Sequence, residues 1–166
     1  MKRILAAMLL VLAMLATGNA FAKDNPMVKF ETTEGNFTVE LYADKAPLTV
    51  DNFMWYVDNN FYDGLIFHRI IKDFMVQGGG FTPEMKKKAA NPPIENEATN
   101  GLKNEKYTVA MARTNAVHSA TSQFFINTKD NGFLDHQNTT QKGFGYCVFG
   151  KVVDGKDTID AMNGVP

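Results

Sequence analysis

The apolar residues of this chain come in short runs that alternate with polar ones, and this rhythm constrains the fold more than any other feature. Val28, Phe30 and Thr32 alternate with polar neighbours, and Phe37, Val39 and Leu41 do so again after Glu34-Gly35-Asn36. Period-two patterning with Gly in the turn predicts an amphipathic β-hairpin. The pattern changes at Pro47. Val50, Phe53, Met54 and Val57 fall at i, i+3, i+4 and i+7, the stripe of a helix with Pro near its first turn, and Asn59-Asn60 ends it. Strand signals return at 65–71, 74–77, 107–112, 123–127 and 146–152, and 155–162 reads as a second helix. The intervening segments 78–105 and 128–145 carry Gly, Asn and Pro without a helical or strand pattern, and loops of such length have a functional role or act as packed covers. Many short strands, one early helix and long loops predict a mainly β fold, a single closed barrel capped by helices. Phe30, Phe37, Phe124 and Phe149 are placed to fill its interior, which argues against a barrel that holds a small molecule inside.

The N-terminus follows a different grammar. Lys2 and Arg3 precede an apolar and small run from Ile4 to Ala16, Thr17-Gly18-Asn19 breaks it, and Ala20-Phe21-Ala22 supplies an A-x-A cleavage site. These are the three parts of a secretory signal peptide, so residues 1–22 are read as cleaved and residues 23–166 as one domain. The apolar run is short against the roughly 20 residues of a membrane span, so stable membrane insertion is not expected. Of 17 Lys and Arg, cleavage removes Lys2 and Arg3, leaving 15 against 18 acidic residues, a balance of -3. That balance offers nucleic acid no electrostatic footing, and Lys86-Lys87-Lys88 reads as a solvated loop. Cys147 is the single cysteine, so no internal disulfide forms and stability rests on a packed core in which Cys147 is a small buried member. His68, His118 and His136 stand far apart without ligand-like spacing, and no metal site is expected.

The chemistry-bearing residues cluster in two stretches. In Phe67-His68-Arg69-Ile70-Ile71, period two places Arg69 beside Phe67 and Ile71, where an arginine needs a partner or a task. In the following strand Met75 and Gln77 share a face, with Phe74 at the turn before them. In Ser122-Gln123-Phe124-Phe125-Ile126, alternation puts Gln123 and Phe125 on one face and Phe124 and Ile126 on the other. Taken alone, Phe74, Met75, Phe125 and Leu134 fit a plain barrel core, and Arg69 fits a structural ion pair as well as a functional donor. His68 reads as structural and Trp55 as helix packing.

The run from Phe67 through Thr82, the Met111-Ala112-Arg113 step, the Ser122–Ile126 block and Val148-Phe149-Gly150-Lys151-Val152 together resemble the cyclophilins, from about Val28 to Met162, in order and spacing. The resemblance implies an eight-stranded antiparallel barrel closed by two helices, with a substrate groove on its outer surface and peptidyl-prolyl cis/trans isomerase activity. It implies that Arg69 is the catalytic arginine and that Phe74, Met75, Phe125 and Leu134 form the apolar pocket for the proline ring. Gln77, Gln123 and the backbone around Ala112 and Arg113 would hold the substrate main chain, with Phe133 and Tyr146 also lining the proline site. No cofactor is implied, since no covalent bond is broken. The expected partners are proline-containing polypeptides bound by a monomer, and the bacterial-type signal and pocket together point to the periplasm.

Three departures from the pattern matter. Phe133 stands where many eukaryotic members have Trp, and Tyr146 where they commonly have His; bacterial-type members resemble this chain at both positions. The third is the stop at Val165-Pro166, where family members continue with a loop and a final strand that pairs with the first; the expectation is a chain cut short, its last strand missing and the 28–32 edge unpaired. Two other functional classes compete with the isomerase. One is a binding module using the same groove, for which Arg69→Ala would leave cell-level function intact. The other is a small-molecule barrel resembling a lipocalin, which needs the open interior argued against above. Phe133 keeps an aromatic wall but lacks the indole N–H donor, so binding of cyclosporin, the cyclic-peptide inhibitor of the family, is expected to be weakened. Phe133→Trp is therefore expected to tighten cyclosporin binding, read as a lower Kd by titration; an unchanged Kd contradicts the reading.

Overall fold

The computed structural model describes residues 25–165, so the signal peptide expected over 1–22 lies outside the described residues. Strands β1 (Met27–Thr32) and β2 (Gly35–Leu41) form the expected hairpin, paired from Met27↔Glu40 to Thr32↔Gly35. Gly35 turns with φ 128°, and a Cβ there would lie 2.8 Å from Thr158 Oγ1, so the hairpin tip closes against the C-terminal helix through a glycine. Helix α1 (Pro47–Asp58) follows, then β3 (Arg69–Ile71), β4 (Met75–Gly78), β5 (Thr108–Met111), β6 (Phe124–Asn127), β7 (Val148–Asp154) and α2 (Lys156–Asn163).

The seven strands form one antiparallel sheet in the order β1-β2-β7-β5-β6-β4-β3, curled into a half-barrel. The closed eight-stranded barrel expected from the sequence is therefore corrected to seven strands among the described residues. Edge strands β1 and β3 are not bonded to each other; a groove of about 460 Å³ opens between β1 and the Tyr62–Phe67 segment. No described strand enters that groove, so the outer edge of β1 has no ladder partner.

The strand expected over 65–71 shortens to Arg69–Ile71. Ahead of it, Gly64 (φ 73°) turns the chain, Ile66 makes an isolated bridge to Phe81, and the Phe67 ring lies against Gly78, where a Cβ would sit 2.8 Å from it. Packing across the sheet has overridden a local strand preference.

Inside the curl, Phe37, Val39, Leu41, Val76, Val109, Phe124, Ile126 and Phe149 are buried and meet the inner face of α1. That face carries Thr49, Val50, Phe53 and Tyr56 as its buried residues, rotated slightly from the predicted stripe, with Trp55 turned outward at 47% exposure. Phe53 is fully buried, and its ring lies 5.1 Å from Phe149, 5.2 Å from Tyr62 and 5.6 Å from Phe124. No local side chain caps α1. Glu97 does so from a distant loop, its carboxylate accepting from Leu48 N (3.1 Å), Thr49 N (2.8 Å) and Thr49 Oγ1 (2.7 Å). A carboxylate at a helix N-terminus satisfies free N–H donors and complements the helix dipole. No helix among the described residues is long and apolar enough to cross a membrane.

Removing the Phe53 ring empties the centre of this aromatic cluster. Phe53→Ala is expected to cost about 3–5 kcal/mol of unfolding free energy, measured by urea titration, with partial relaxation setting where in that range it falls.

Candidate active site

A single lateral row of the sheet lays out the site. Arg69 on β3 is in register with Gln77 on β4, Gln77 with Phe125 on β6, Phe125 with Ala110 on β5, and Ala110 with Val148 on β7. Facing residues of neighbouring strands share a side of the sheet, so this row stands on one face. It is the outer face, because the alternate residues Val76, Phe124, Ile126 and Phe149 belong to the interior core. On the outside, Met75, Ala110, Phe125, Leu134 and Val148 make a second, separate apolar cluster.

The remaining walls come from turns and loops. Phe74 sits in the β3–β4 turn, where Asp73 takes φ 55°, and a 3₁₀ turn over Gly132–Leu134 brings Phe133 and Leu134. Phe133, 68% exposed, stacks on Phe74 at 5.7 Å with the planes 25° apart. The Tyr146 ring meets Phe125 edge-on at 5.7 Å. Together with Ala112 and Arg113 these residues border a shallow open groove of about 380 Å³. Ten of the eleven residues singled out in the sequence line it, and the eleventh, Gln123, reaches it through Gln77. Gln77 Nε2 donates to Gln123 Oε1 at 3.0 Å, and Arg69 Nη1 makes a long contact of 3.4 Å to Gln77 Oε1. The Ala112 N–H is engaged by the Gln123 carbonyl at 3.0 Å, while the Arg113 N–H has no partner among the described residues.

The electrostatics are one-sided. The groove is lined by two arginines, Arg69 and Arg113, and by no Asp or Glu. Arg69 is exposed and, among the described residues, forms no ion pair. The ion-pair reading of Arg69 therefore has no partner to support it. Its neighbour His68 lies against Phe81 with ring centroids 4.5 Å apart, and burial, aided by the nearby Arg69 charge, lowers the imidazole pKa. A neutral His68 adds no second charge next to Arg69. The buried Nδ1 of His68 has no hydrogen-bond partner among the described residues. Cys147 is buried on the inner side, and burial pushes its thiol up to about 11, which keeps it protonated and inert at neutral pH. Of the lysine run, Lys86 and Lys87 are exposed, but Lys88 bonds the Phe61 carbonyl at 2.6 Å and lies over its ring.

A sequence model described as cyclophilin type peptidyl-prolyl cis-trans isomerase/CLD matches residues 27–166. The chain belongs to the cyclophilin family. Curated relatives agree. A peptidyl-prolyl cis-trans isomerase of Streptomyces antibioticus is 58% identical over 138 residues, 83% of each chain. Peptidyl-prolyl cis-trans isomerase A of Dickeya dadantii is 53% identical over 165 residues, covering 99% of this chain and 85% of that one. Isomerase B of Escherichia coli is 55% identical, covering 84% of this chain and 85% of the relative. A cyclophilin-type isomerase of Cryptosporidium parvum, also solved in the presence of the dipeptide Ala-Pro, superposes with TM-score 0.73 at 26% identity; the match without dipeptide covers 84% of this chain and 85% of that one. The activity of this cyclophilin is peptidyl-prolyl cis-trans isomerisation.

One supporting layer was not visible in the cyclophilin's sequence. Beneath the pocket, Asn131 Nδ2 donates to the Phe74 carbonyl and to Asn127 Oδ1, both at 2.8 Å. Asn127 Nδ2 in turn reaches Asn104 Oδ1 (3.2 Å) and Thr108 Oγ1 (2.9 Å), and Asp135 Oδ1 accepts from Asn104 N (2.8 Å). The only signal was the abundance of Asn in the long loops, which does not reveal which amides meet.

Gly80 has a comparable supporting role. A Cβ there would lie 2.6 Å from Cγ and Cδ of Gln123. Gly80→Ala is expected to push Gln123 off Gln77 and lower isomerase kcat/KM about fivefold, the loss of roughly one net hydrogen bond. Circular dichroism and melting checked alongside should show a fold close to that of the parent chain.

Proposed function

We propose that the outer groove is where the isomerisation takes place, with Arg69 as its catalytic residue. The observation that carries this reading is an unpaired guanidinium, steadied by Gln77, at the edge of an apolar pocket. An X–Pro bond rotates over tens of seconds because twisting it forfeits amide resonance, a barrier of ~18–20 kcal/mol. No covalent bond breaks, so no nucleophile or cofactor is called for. As the bond twists, the prolyl nitrogen pyramidalises and gains a lone pair able to accept a hydrogen bond. Arg69 supplies the donor, strongest in the twisted state and therefore selective for it.

The apolar cluster of Phe74, Met75, Phe125, Phe133, Leu134 and Tyr146 receives the proline ring. Gln77, Gln123 and the free Arg113 N–H hold the main chain, so that one side of the bond turns while the other stays. Shortening tens of seconds to about a millisecond requires a factor of ~10⁴–10⁵, or about 5.5–7 kcal/mol. Arg69 is open to water in the free groove, so the bound substrate itself must exclude solvent for the donor to act at strength.

The cellular role we assign is assistance to folding of exported proteins in the periplasm, with residues 1–22 as a cleaved signal. Its support is the Lys2–Ala22 pattern and the bacterial relatives. The substrates are proline-containing polypeptides, and cyclosporin is a weak ligand because Phe133 offers no N–H donor.

Arg69→Ala is expected to lower kcat/KM for a proline tetrapeptide by about 10²–10³, the cost of removing one transition-state donor, with the melting temperature unchanged within a few degrees. A loss smaller than tenfold in a folded variant would move catalysis away from this residue and favour the groove as a proline-binding module.

A further inference from the structure

In the proposed reaction Arg113 contributes its backbone N–H, yet its side chain is among the most connected in the site. Nε donates to the Gly145 carbonyl at 3.0 Å, Nη1 to the carbonyls of Thr114 (3.0 Å) and Asn115 (3.4 Å), and Nη2 to that of Gln141 (3.0 Å). Every acceptor is a neutral carbonyl, and Arg113, like Arg69, forms no ion pair among the described residues. The bonds join two loops that share no strand ladder, 112–122 and 135–147. Guanidinium N–H groups donate in the plane of the group, so these bonds leave its faces free, and the guanidinium stands over the Tyr146 ring with Cζ 4.7 Å from the ring centroid.

We propose that the Arg113 side chain is a positioning residue for the proline pocket: its guanidinium holds the Tyr146 ring in its edge-on contact with Phe125 and straps the two loops that carry that wall. This rests on the groove being the proline site. The backbone at Tyr146 is already fixed, because Tyr146 N donates to the Leu134 carbonyl at 2.9 Å and a Cβ on the preceding Gly145 would lie 2.6–2.7 Å from the Leu134–His136 backbone. What the backbone leaves free is the ring, which meets Phe125 edge-on at 5.7 Å and lies under the Arg113 guanidinium at 4.7 Å. A planar fork can serve in-plane acceptors and an aromatic face at once; an ammonium cannot, so lysine is a poor substitute.

The test is a double-mutant cycle on the full chain, with KM and kcat for a proline tetrapeptide obtained by NMR exchange. Arg113→Ala is expected to raise KM about three- to tenfold, the size of a partly desolvated cation–π contact, while kcat stays within about twofold. In a Tyr146→Ala background the same change is expected to move KM less than about twofold, because the ring it acts through is gone. Arg113→Lys should reproduce the Arg113→Ala rise, which also decides the matter if the alanine variant does not fold. In ¹³C-tyrosine-labelled protein the Tyr146 ring signals should shift and sharpen in either variant, whatever the activity. Additive effects in the cycle, or a lysine variant with parental KM and unchanged Tyr146 signals, would overturn the proposal. Arg69→Ala measured alongside separates the cases: if it retains activity, the groove reading fails, while the Tyr146 signals still decide whether Arg113 holds the ring.

Discussion

The register of one row of residues, Arg69–Gln77–Phe125–Ala110–Val148, is what the rest of this molecule depends on. Because strands alternate faces, β6 can place Phe124 and Ile126 in the interior and Phe125 in the outer pocket within three consecutive residues. A one-residue slip of any strand would send its pocket side chain inward and a core side chain out to solvent. Burial of the inner rings therefore enforces the outer geometry. The alignment of the groove and the stability of the fold are read from the same ladder, and the site inherits its precision from the core.

What the ladder cannot supply, the loops do, and they are held by polar atoms rather than by repetitive structure. Asn131 fixes the Phe74 carbonyl and Asn127 together, while Asn104 ties the same network to Asp135. Asn104, Asn127 and Asn131 are buried, so each amide left without a partner would cost far more than one bond gained at the surface. Such a network is satisfied in one arrangement, which gives long irregular segments a fixed shape. Arg113 plays the corresponding part at the opposite rim, where the segments are half-exposed and a guanidinium can reach four carbonyls.

The division between legible and illegible features follows from these two kinds of constraint. The hairpin, both helices and the faces of β4 and β6 were readable because alternation and helical spacing are local patterns set by burial. The strand expected at 65–71 was too long because Phe67 is held over Gly78, an interaction with no local signature. The cap of α1 by Glu97 is separated from its donors by almost fifty positions, and no capping rule extends so far. The pocket residues themselves were found through resemblance of ordered blocks; alternation alone placed Phe125 and Met75 on common faces without saying whether those faces were core or groove. The Arg69–Gln77–Gln123 chain needed the register of three strands before it could be seen.

That Arg69 forms no ion pair among the described residues has a physical consequence for the proposed reaction. Two unit charges ~4 Å apart interact by about 1 kcal/mol in water and about 4 kcal/mol at the effective dielectric near a protein surface. Had Arg69 carried an ion pair, a twisting prolyl nitrogen would have to compete with a full negative charge for its donors. Gln77 instead offers a neutral oxygen at a long 3.4 Å, enough to orient the guanidinium and weak enough to yield. The lowered pKa of half-buried His68 works in the same direction, since a cation beside Arg69 would repel it. The free enzyme therefore keeps its donor hydrated, loosely aimed and uncommitted. In the proposed reaction the substrate, by covering the groove and removing water, would turn this solvated arginine into a strong hydrogen-bond donor as the bond twists.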